Sequence, residues 1–387
     1  MTHRPSFAIL TIALLAFTTF QLASANCATY TSCHDCSSAP SWLDSCRWCP
    51  LDQRCHATGA VFTNPCKASE NIVDAAQCPA APNPNTLYND KIAYDALKYS
   101  NAAYATENNV PSIKNAYLSP SFTVVGSPFI FEVPFSLAST CLGYLGVDHI
   151  KKQVVVAFRG TLFGKMSDLI AEQLIQQALG GAVDMITGGV QIWPDLPSVK
   201  VASYYGKVIP LLNSMAKPAL DLFFKNPGYQ VLVTGHSLGG SLASIMATHL
   251  VKTLTEAKVD AKNVMLITFG QPRTGNLAYA NLVDRLLPGR AFRVVANRDI
   301  VPNLPPLDKN APTIGPWHHG TEIWYAAGGF FQDKVPCKYR ECSATGEDTS
   351  CSRSLAVRLS VVDHTRRYWC ALPSGFCAPS TPDICPS

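Results

Sequence analysis

The sequence predicts an α/β fold: a largely parallel central sheet with flanking helices, preceded by a small disulfide-rich N-terminal module. Three observations carry this. Gly235-His236-Ser237-Leu238-Gly239-Gly240 separates an apolar, strand-like stretch from a helix-like one. Short β-rich runs alternate with helical periodicity from Gln153 onward. Eight cysteines crowd into residues 27–78. At 387 residues, 47% hydrophobic and 15% charged, the chain has a globular composition and room for one large domain plus a small one. The formal charge of +4, with no Lys/Arg block, argues against nucleic acid as a partner.

The elements follow in order. Met1 to Ala25 begins weakly basic at His3 and Arg4, runs apolar from Phe7 to Phe20 and ends in the small-residue site Ala23-Ser24-Ala25. This is a signal-peptide pattern, too short and too soon followed by Cys-rich sequence to read as an anchor. No other stretch is apolar and long enough for a transmembrane segment, so the expectation is a secreted, extracellular protein. Fifteen cysteines fit an oxidising destination, and their odd number leaves a thiol unpaired or bonded to another chain. There is no Asn-x-Ser/Thr acceptor, so N-glycosylation is not expected. Residues 26–79 form a module too small to be stable on its apolar core alone. Its Cys33-x-x-Cys36 and Cys46-x-x-Cys49 pairs suggest zinc in isolation, but an exported chain favours disulfides. Residues 80–86 are a Pro-rich, extended linker. The catalytic domain is assigned to 87–372. Asp90 to Glu107 carries helical spacing, and Gln153–Phe158, Tyr229–Thr234, Val264–Phe269 and Ala291–Val295 read as strands. Helical stretches separate the last three, which implies parallel pairing. Residues 373–387 are a Cys/Pro-rich tail.

Gly-x-Ser-x-Gly between a strand and a helix (here Ser241–Leu250) is the nucleophile elbow of an α/β-hydrolase. The turn imposes an unusual backbone on Ser237, and flanking glycines let strand and helix pass closely. Acyl transfer by a serine needs a base in reach and an acid to orient that base, in chain order Ser, Asp/Glu, His. Asp299 fits the acid, just beyond the carboxyl end of a predicted strand in Arg298-Asp299-Ile300-Val301-Pro302. Three histidines follow it, His318, His319 and His364, and spacing alone does not choose among them. The backbone N–H of Leu238, next after the nucleophile, is one oxyanion donor.

From Asp90 to about Leu372 the chain resembles the class 3 lipases, the fungal-type lipase and feruloyl esterase family. The matching residues are Val156-Ala-Phe-Arg-Gly-Thr161, Asn226 through Gly240, Thr268-Phe-Gly-Gln-Pro-Arg273, Arg298-Asp-Ile-Val-Pro302 and Val362-Asp-His364. The resemblance implies His364 as the base and Thr161 as the second oxyanion donor. It implies a structural role for the segment of His318, Gly320, Glu322 and Trp324, and Arg159 reads as structural rather than as an anion binder. It further implies a Cys342–Cys351 disulfide. Cys337, Cys370, Cys377 and Cys385 are left in an unknown pairing, and Cys141, in a predicted strand, is the candidate buried free thiol. Residues 26–79 resemble a PSI (plexin–semaphorin–integrin) module through Tyr30-Thr-Ser-Cys33-His-Asp-Cys36, Cys46-Arg-Trp-Cys49 and Cys55. That resemblance implies the pairs Cys27–Cys46, Cys33–Cys78, Cys36–Cys55 and Cys49–Cys66, and names no ligand for a possible surface partner.

One segment departs from the family pattern. Between Thr161 and Val201 lies an insertion in which Met166, Leu169, Ile170 and Leu174 form the apolar side of an amphipathic helix stopped by Gly180-Gly181. It reads either as a helix packed permanently on the core or as a lid, residues 162–200, that turns its apolar face to lipid. After it, Val201-Ala-Ser-Tyr-Tyr205 stands where the family reads Val-His-x-Gly-Phe. The expected function is a secreted serine ester hydrolase acting on triacylglycerol or another acyl lipid at a lipid–water interface, with no metal and no organic cofactor. The alternatives are a feruloyl-type or cell-wall carbohydrate esterase, and a recognition protein driven by the PSI-like module with an inert hydrolase.

Overall fold

The computed structural model describes residues 27–39, 46–49, 54–60 and scattered positions to 78, then 86–104, 118, 120–133, 140–161, 184, 188–307, 314–325 and parts of 339–377. The leader, the linker from 80 to 85, the tail from 378 and the insertion residues Met166, Leu169, Ile170 and Leu174 lie outside the described residues. The chain divides into two compact units that part between Ala81 and Pro82.

The first unit is held by crosslinks. Helix α1 (Cys33–Ser37) is capped by the Ser32 side chain, which accepts from the Asp35 N–H. Strands β1 (Cys46–Cys49) and β2 (Arg54–Ala57) pair antiparallel. Four disulfides join Cys27–Cys46, Cys33–Cys78, Cys36–Cys55 and Cys49–Cys66, the same pairs the PSI resemblance implies. Trp48 and Ile72 exchange two backbone hydrogen bonds, and both side chains are buried among the cystines. Among the described residues of this unit little else apolar is buried, so the crosslinks carry much of its stability.

The second unit is built on an eight-stranded sheet. In chain order its strands are β3 (Phe122–Glu132), β4 (Thr140–Asp148), β5 (Gln153–Phe158), β8 (Gln230–His236), β9 (Val264–Phe269), β11 (Ala291–Ala296), β13 (Glu322–Tyr325) and β14 (Arg340–Glu341). Spatially they run β14-β13-β11-β9-β8-β5-β4-β3. The centre, from β5 through β8, β9 and β11 to β13, is parallel, and the outer pairs are antiparallel. Strands buried on both faces read as continuous apolar runs, because every residue needs an apolar neighbour. Thus Val154, Val156 and Phe158 enter one core, and Val155 and Ala157 enter the other. The first core is closed by helices α3 (Ser203–Lys225), α4 (Leu238–Glu256) and α5 (Leu277–Leu286), the second by α2 (Asp90–Ala102). Asn89 caps α2, its side chain accepting from Lys91 and Ile92. A small second sheet is ordered β12 (Pro316–Trp317), β10 (Gly275–Asn276), β7 (Lys200–Val201), β6 (Val190–Gln191). It ties the end of the insertion to the body of the unit.

A buried ionic network fixes the loop after β11. The Arg273 guanidinium donates from Nη1 to the carbonyls of Asn303 and Pro305, both at 2.7 Å, and pairs bidentately with Glu347 at 2.7 and 2.8 Å. Burial pushes the Glu347 carboxyl up, but Arg273 beside it more than offsets this and holds it below the usual range. The Cys342–Cys351 disulfide closes the loop that carries Glu347. Nearby, Arg293 donates to the carbonyls of His319 and Gly346, and Glu322 accepts from Ser352 N. The Trp324 indole donates to the carbonyl of Asn297 at 2.9 Å. The segment from His318 to Trp324 thus packs behind the Asp299 loop as a brace.

Breaking one side of this network leaves the other charge buried and unpaired. Glu347→Gln is expected to lower unfolding free energy by about 3–5 kcal/mol, measured by urea denaturation; a loss within experimental error contradicts the assignment. The buried histidines give a pH dependence. Burial, with Arg293 close by, holds His318 and His319 well below their ordinary value. The unfolded chain therefore takes up protons first, so their stabilisation is present above about pH 6.5 and falls as pH drops, by up to about 1.4 kcal/mol per pH unit each. Asp284, whose carboxyl burial pushes up to about 7, and Glu322, also raised by burial, act in the opposite direction. A His318→Gln/His319→Gln variant is expected to lose less stability than the parent between pH 7.5 and 5.5. Equal losses in the two proteins contradict the assignment.

Candidate active site

β8 turns into α4 at Ser237, whose backbone sits at φ 59°, ψ −131°. Such a conformation is costly for a residue with a side chain and persists only where its surroundings enforce it. Ser237 N donates to the Phe269 carbonyl on β9 at 2.8 Å. A Cβ on Gly235 would lie 2.1 Å from the Gly239 carbonyl oxygen, and one on Gly239 would lie 2.5 Å from the Phe158 carbonyl oxygen. Only bare backbone lets β5, β8 and α4 converge there. The helix thus starts at Leu238, three residues earlier than its periodicity suggested, and Ser237 occupies its N-cap.

Asp299 stands beyond the carboxyl end of β11, in a turn where its N–H donates to the Ala296 carbonyl at 3.0 Å. His364 lies in a short helix, α6 (Val361–Arg366). Two backbone–backbone hydrogen bonds, Ser360 N to Arg298 O and Ile300 N to Ser360 O, and one from Arg298 N to the Asp363 carboxylate strap that segment to the Asp299 loop. His364 Nδ1 lies 3.0 and 2.9 Å from the two Asp299 oxygens, so Nδ1–H donates to that carboxylate. Asp299 also accepts from Val301 N at 2.9 Å and from the Tyr368 hydroxyl at 2.6 Å. Burial, then the charge of Asp299, pushes Tyr368 well above its ordinary value, so it stays a donor. Three donors, His364 Nδ1, Val301 N and the Tyr368 hydroxyl, therefore hold one carboxylate.

Ser237, Asp299 and His364 are each 0% exposed. Ser237 Oγ and His364 Nε2 are both buried without a hydrogen-bond partner among the described residues, as is Thr161 Oγ1. These are the atoms whose capacity an acyl-transfer reaction would use. Leu238 N opens α4 directly after Ser237, and Thr161 is buried at the end of the segment that follows β5. The other two histidines lie elsewhere: His318 Nε2 is bonded to the Pro302 carbonyl at 2.7 Å and His319 Nε2 to Gln271 Oε1 at 3.1 Å. Arg159 is buried and donates to the Thr140 carbonyl. Cys141 is a free, buried thiol 3.0 Å from the Tyr204 hydroxyl, and burial raises its pKa, so it is no thiolate nucleophile. Two groups of metal-capable side chains occur among the described residues, Cys27/Cys46/Cys55 and Glu322/Cys342/Cys351, and their sulfurs are all in disulfides.

Sequence reasoning overlooked Tyr368, and with it His236 and Tyr104. Tyr368 follows His364 by four residues, the signal that was present. His236 is the variable position of the elbow motif, where the pattern itself asks for nothing.

Residues 155–309 match the family described as Lipase (class 3). A Caenorhabditis elegans lipase is 30% identical over 319 residues, which are 76% of this chain and 84% of the relative. A Rhizomucor miehei lipase is 37% identical over 174 residues, 45% of this chain and 42% of that one. The crystal structure of a lipase from Rhizopus microsporus var. chinensis superposes with a TM-score of 0.52 at 24% identity, covering 73% of this chain and 91% of that chain. Among the described residues no helix is long and apolar enough to cross a membrane. With its central parallel sheet and its match to these relatives, the chain belongs to the class 3 lipases, an α/β-hydrolase family of carboxylic ester hydrolases.

Proposed function

We propose that this protein is a secreted lipase that cleaves acyl-lipid esters, triacylglycerol foremost, through an acyl-enzyme on Ser237. The observation that carries the proposal is the His364 Nδ1–H held on Asp299, which leaves Nε2 as the free basic nitrogen in a site shared with the elbow serine. Ser237 Oγ attacks the ester carbonyl carbon as His364 Nε2 takes its proton. The carbonyl oxygen becomes an oxyanion, which the N–H groups of Leu238 and Thr161 receive. Asp299 stabilises the imidazolium without itself being protonated. On collapse, the carbonyl–alkoxy bond breaks and His364 returns the proton to the leaving alcohol. A water molecule then gives a proton to Nε2 and attacks the acyl-enzyme. Its collapse frees the fatty acid and restores Ser237. Ester and water enter; alcohol and acid leave.

Export is supported by the leader-like start of the chain and by the four cystines of the first unit. The preference for lipid rests on the family and on the apolar residues Met166, Leu169, Ile170 and Leu174 of the insertion. Ser237 is wholly buried, so a bulky ester reaches Oγ only after covering groups move.

Hydrolysis of an ester series from acetyl to long acyl, measured below and above each substrate's solubility limit, tests the substrate class. Activity that rises on long-chain esters once an interface forms is expected. Activity confined to soluble acetyl or feruloyl esters overturns the lipid reading. Within the mechanism, Asp299→Asn is expected to lower kcat roughly 10⁴-fold, because the imidazole loses its tautomer and its charge partner; a loss of less than tenfold sinks the role given to Asp299.

A further inference from the structure

The imidazole of His236, immediately before the nucleophile, lies against that of His364, with ring centroids 4.4 Å apart and planes 29° from parallel. Both rings are fully buried. His236 Nε2 is 2.9 Å from the main-chain carbonyl oxygen of His364. A carbonyl only accepts, so Nε2 carries the proton. His236 Nδ1 is 2.8 Å from the Tyr104 hydroxyl. Burial, with His364 adding to it, holds His236 well below its ordinary value, and burial raises Tyr104. The ring is therefore neutral, and Tyr104 donates to its Nδ1.

Three segments of the site meet at this pair. The His364 carbonyl belongs to the last turn of α6, where helical carbonyls have no partner within the helix. His236 supplies the missing donor. Ser237 follows His236 directly. On the third side, a Cβ on Gly160 would lie 2.3 Å from the Tyr104 hydroxyl oxygen and 3.0 Å from Ser237 Cβ. The tyrosine thus rests against the backbone that presents Thr161.

We propose that Tyr104 and His236 are positioning residues, a hydrogen-bonded relay that holds the base His364 and the oxyanion segment in register with Ser237. The base needs this because it sits on a six-residue helix, and Asp299 fixes only one edge of its ring. Stacking fixes the ring's face, and the bond to the carbonyl fixes its backbone. A neutral partner does this without repelling the imidazolium that forms during attack. Losing either partner leaves the nucleophile and base present but slackly aligned, which lowers turnover more than binding.

The inference rests on reading Ser237 and His364 as nucleophile and base, so the experiment separates the two. Kinetics on a soluble ester are measured, with melting temperature, for Tyr104→Phe, His236→Phe and the double variant, alongside Ser237→Ala and His364→Ala. The phenylalanines keep the packing and remove the hydrogen bonds. Each single change is expected to lower kcat by about tenfold to a hundredfold with KM little changed. The double variant is expected to be no slower than the worse single one, because one relay is broken either way. Unchanged kcat with only a lower melting temperature overturns the inference, as do effects that multiply in the double variant. If His236→Phe does not fold, Tyr104→Phe decides alone, and an unchanged kcat overturns it. Activity persisting in Ser237→Ala or His364→Ala overturns the underlying reading instead.

Discussion

The backbone of Ser237 is the constraint on which the site depends. At φ 59°, ψ −131° it costs on the order of 1–3 kcal/mol, and it is enforced from several sides. β8 is hydrogen-bonded between two parallel neighbours, so its end cannot shift alone. The Phe269 carbonyl holds the Ser237 N–H, and the two motif glycines allow backbone contact with no side chain between. Parallel strands then bring the remaining groups to the same sheet edge. The carboxyl ends of β5, β8, β9 and β11 deliver Thr161, Ser237, Gln271 and Asp299 in turn.

Away from that edge, buried charge fixes the loop that follows Asp299. The loop from Asp299 to Pro305 has its carbonyls tied to Arg273, which is neutralised by Glu347 within a disulfide-closed loop. Burying such charges stabilises little by itself, and its value lies in fixing one geometry. His364 has no comparable clamp. Beyond the Asp299 carboxylate it is held by neutral groups: the Tyr368 hydroxyl donates to Asp299, and the His236 ring stacks on the imidazole and bonds its main-chain carbonyl. A positive charge there would repel an imidazolium, whereas neutral groups orient the ring without that penalty.

The central sheet was legible because strands buried on both faces have few ways to be polar: Gln153–Phe158 and Val264–Phe269 were readable to the residue. The helix after the elbow was legible in kind and not in extent. Its first residues, Leu238, Gly239 and Gly240, break apolar periodicity because the turn needs them. Asp299 was readable from strand order. His364 was not, since three histidines satisfied the same order, and the choice came from family resemblance; the structure bonds it to Asp299 and engages His318 and His319 with Pro302 and Gln271. Tyr104 and the Arg273–Glu347 pair were out of reach. Their partners lie 132 and 74 residues away in sequence, and no local pattern encodes contacts at that range.

The central claim is that a single serine, held in that turn, forms the covalent intermediate. The direct measurement is to treat the protein with a long-chain alkylphosphonate ester in the presence of a lipid emulsion and map the modified peptide by mass spectrometry. One phosphonyl group per chain on Ser237, gained in step with lost hydrolysis and absent from Ser237→Ala, is the predicted result. Inactivation with the label on any other residue, or full activity with Ser237 modified, would contradict the account.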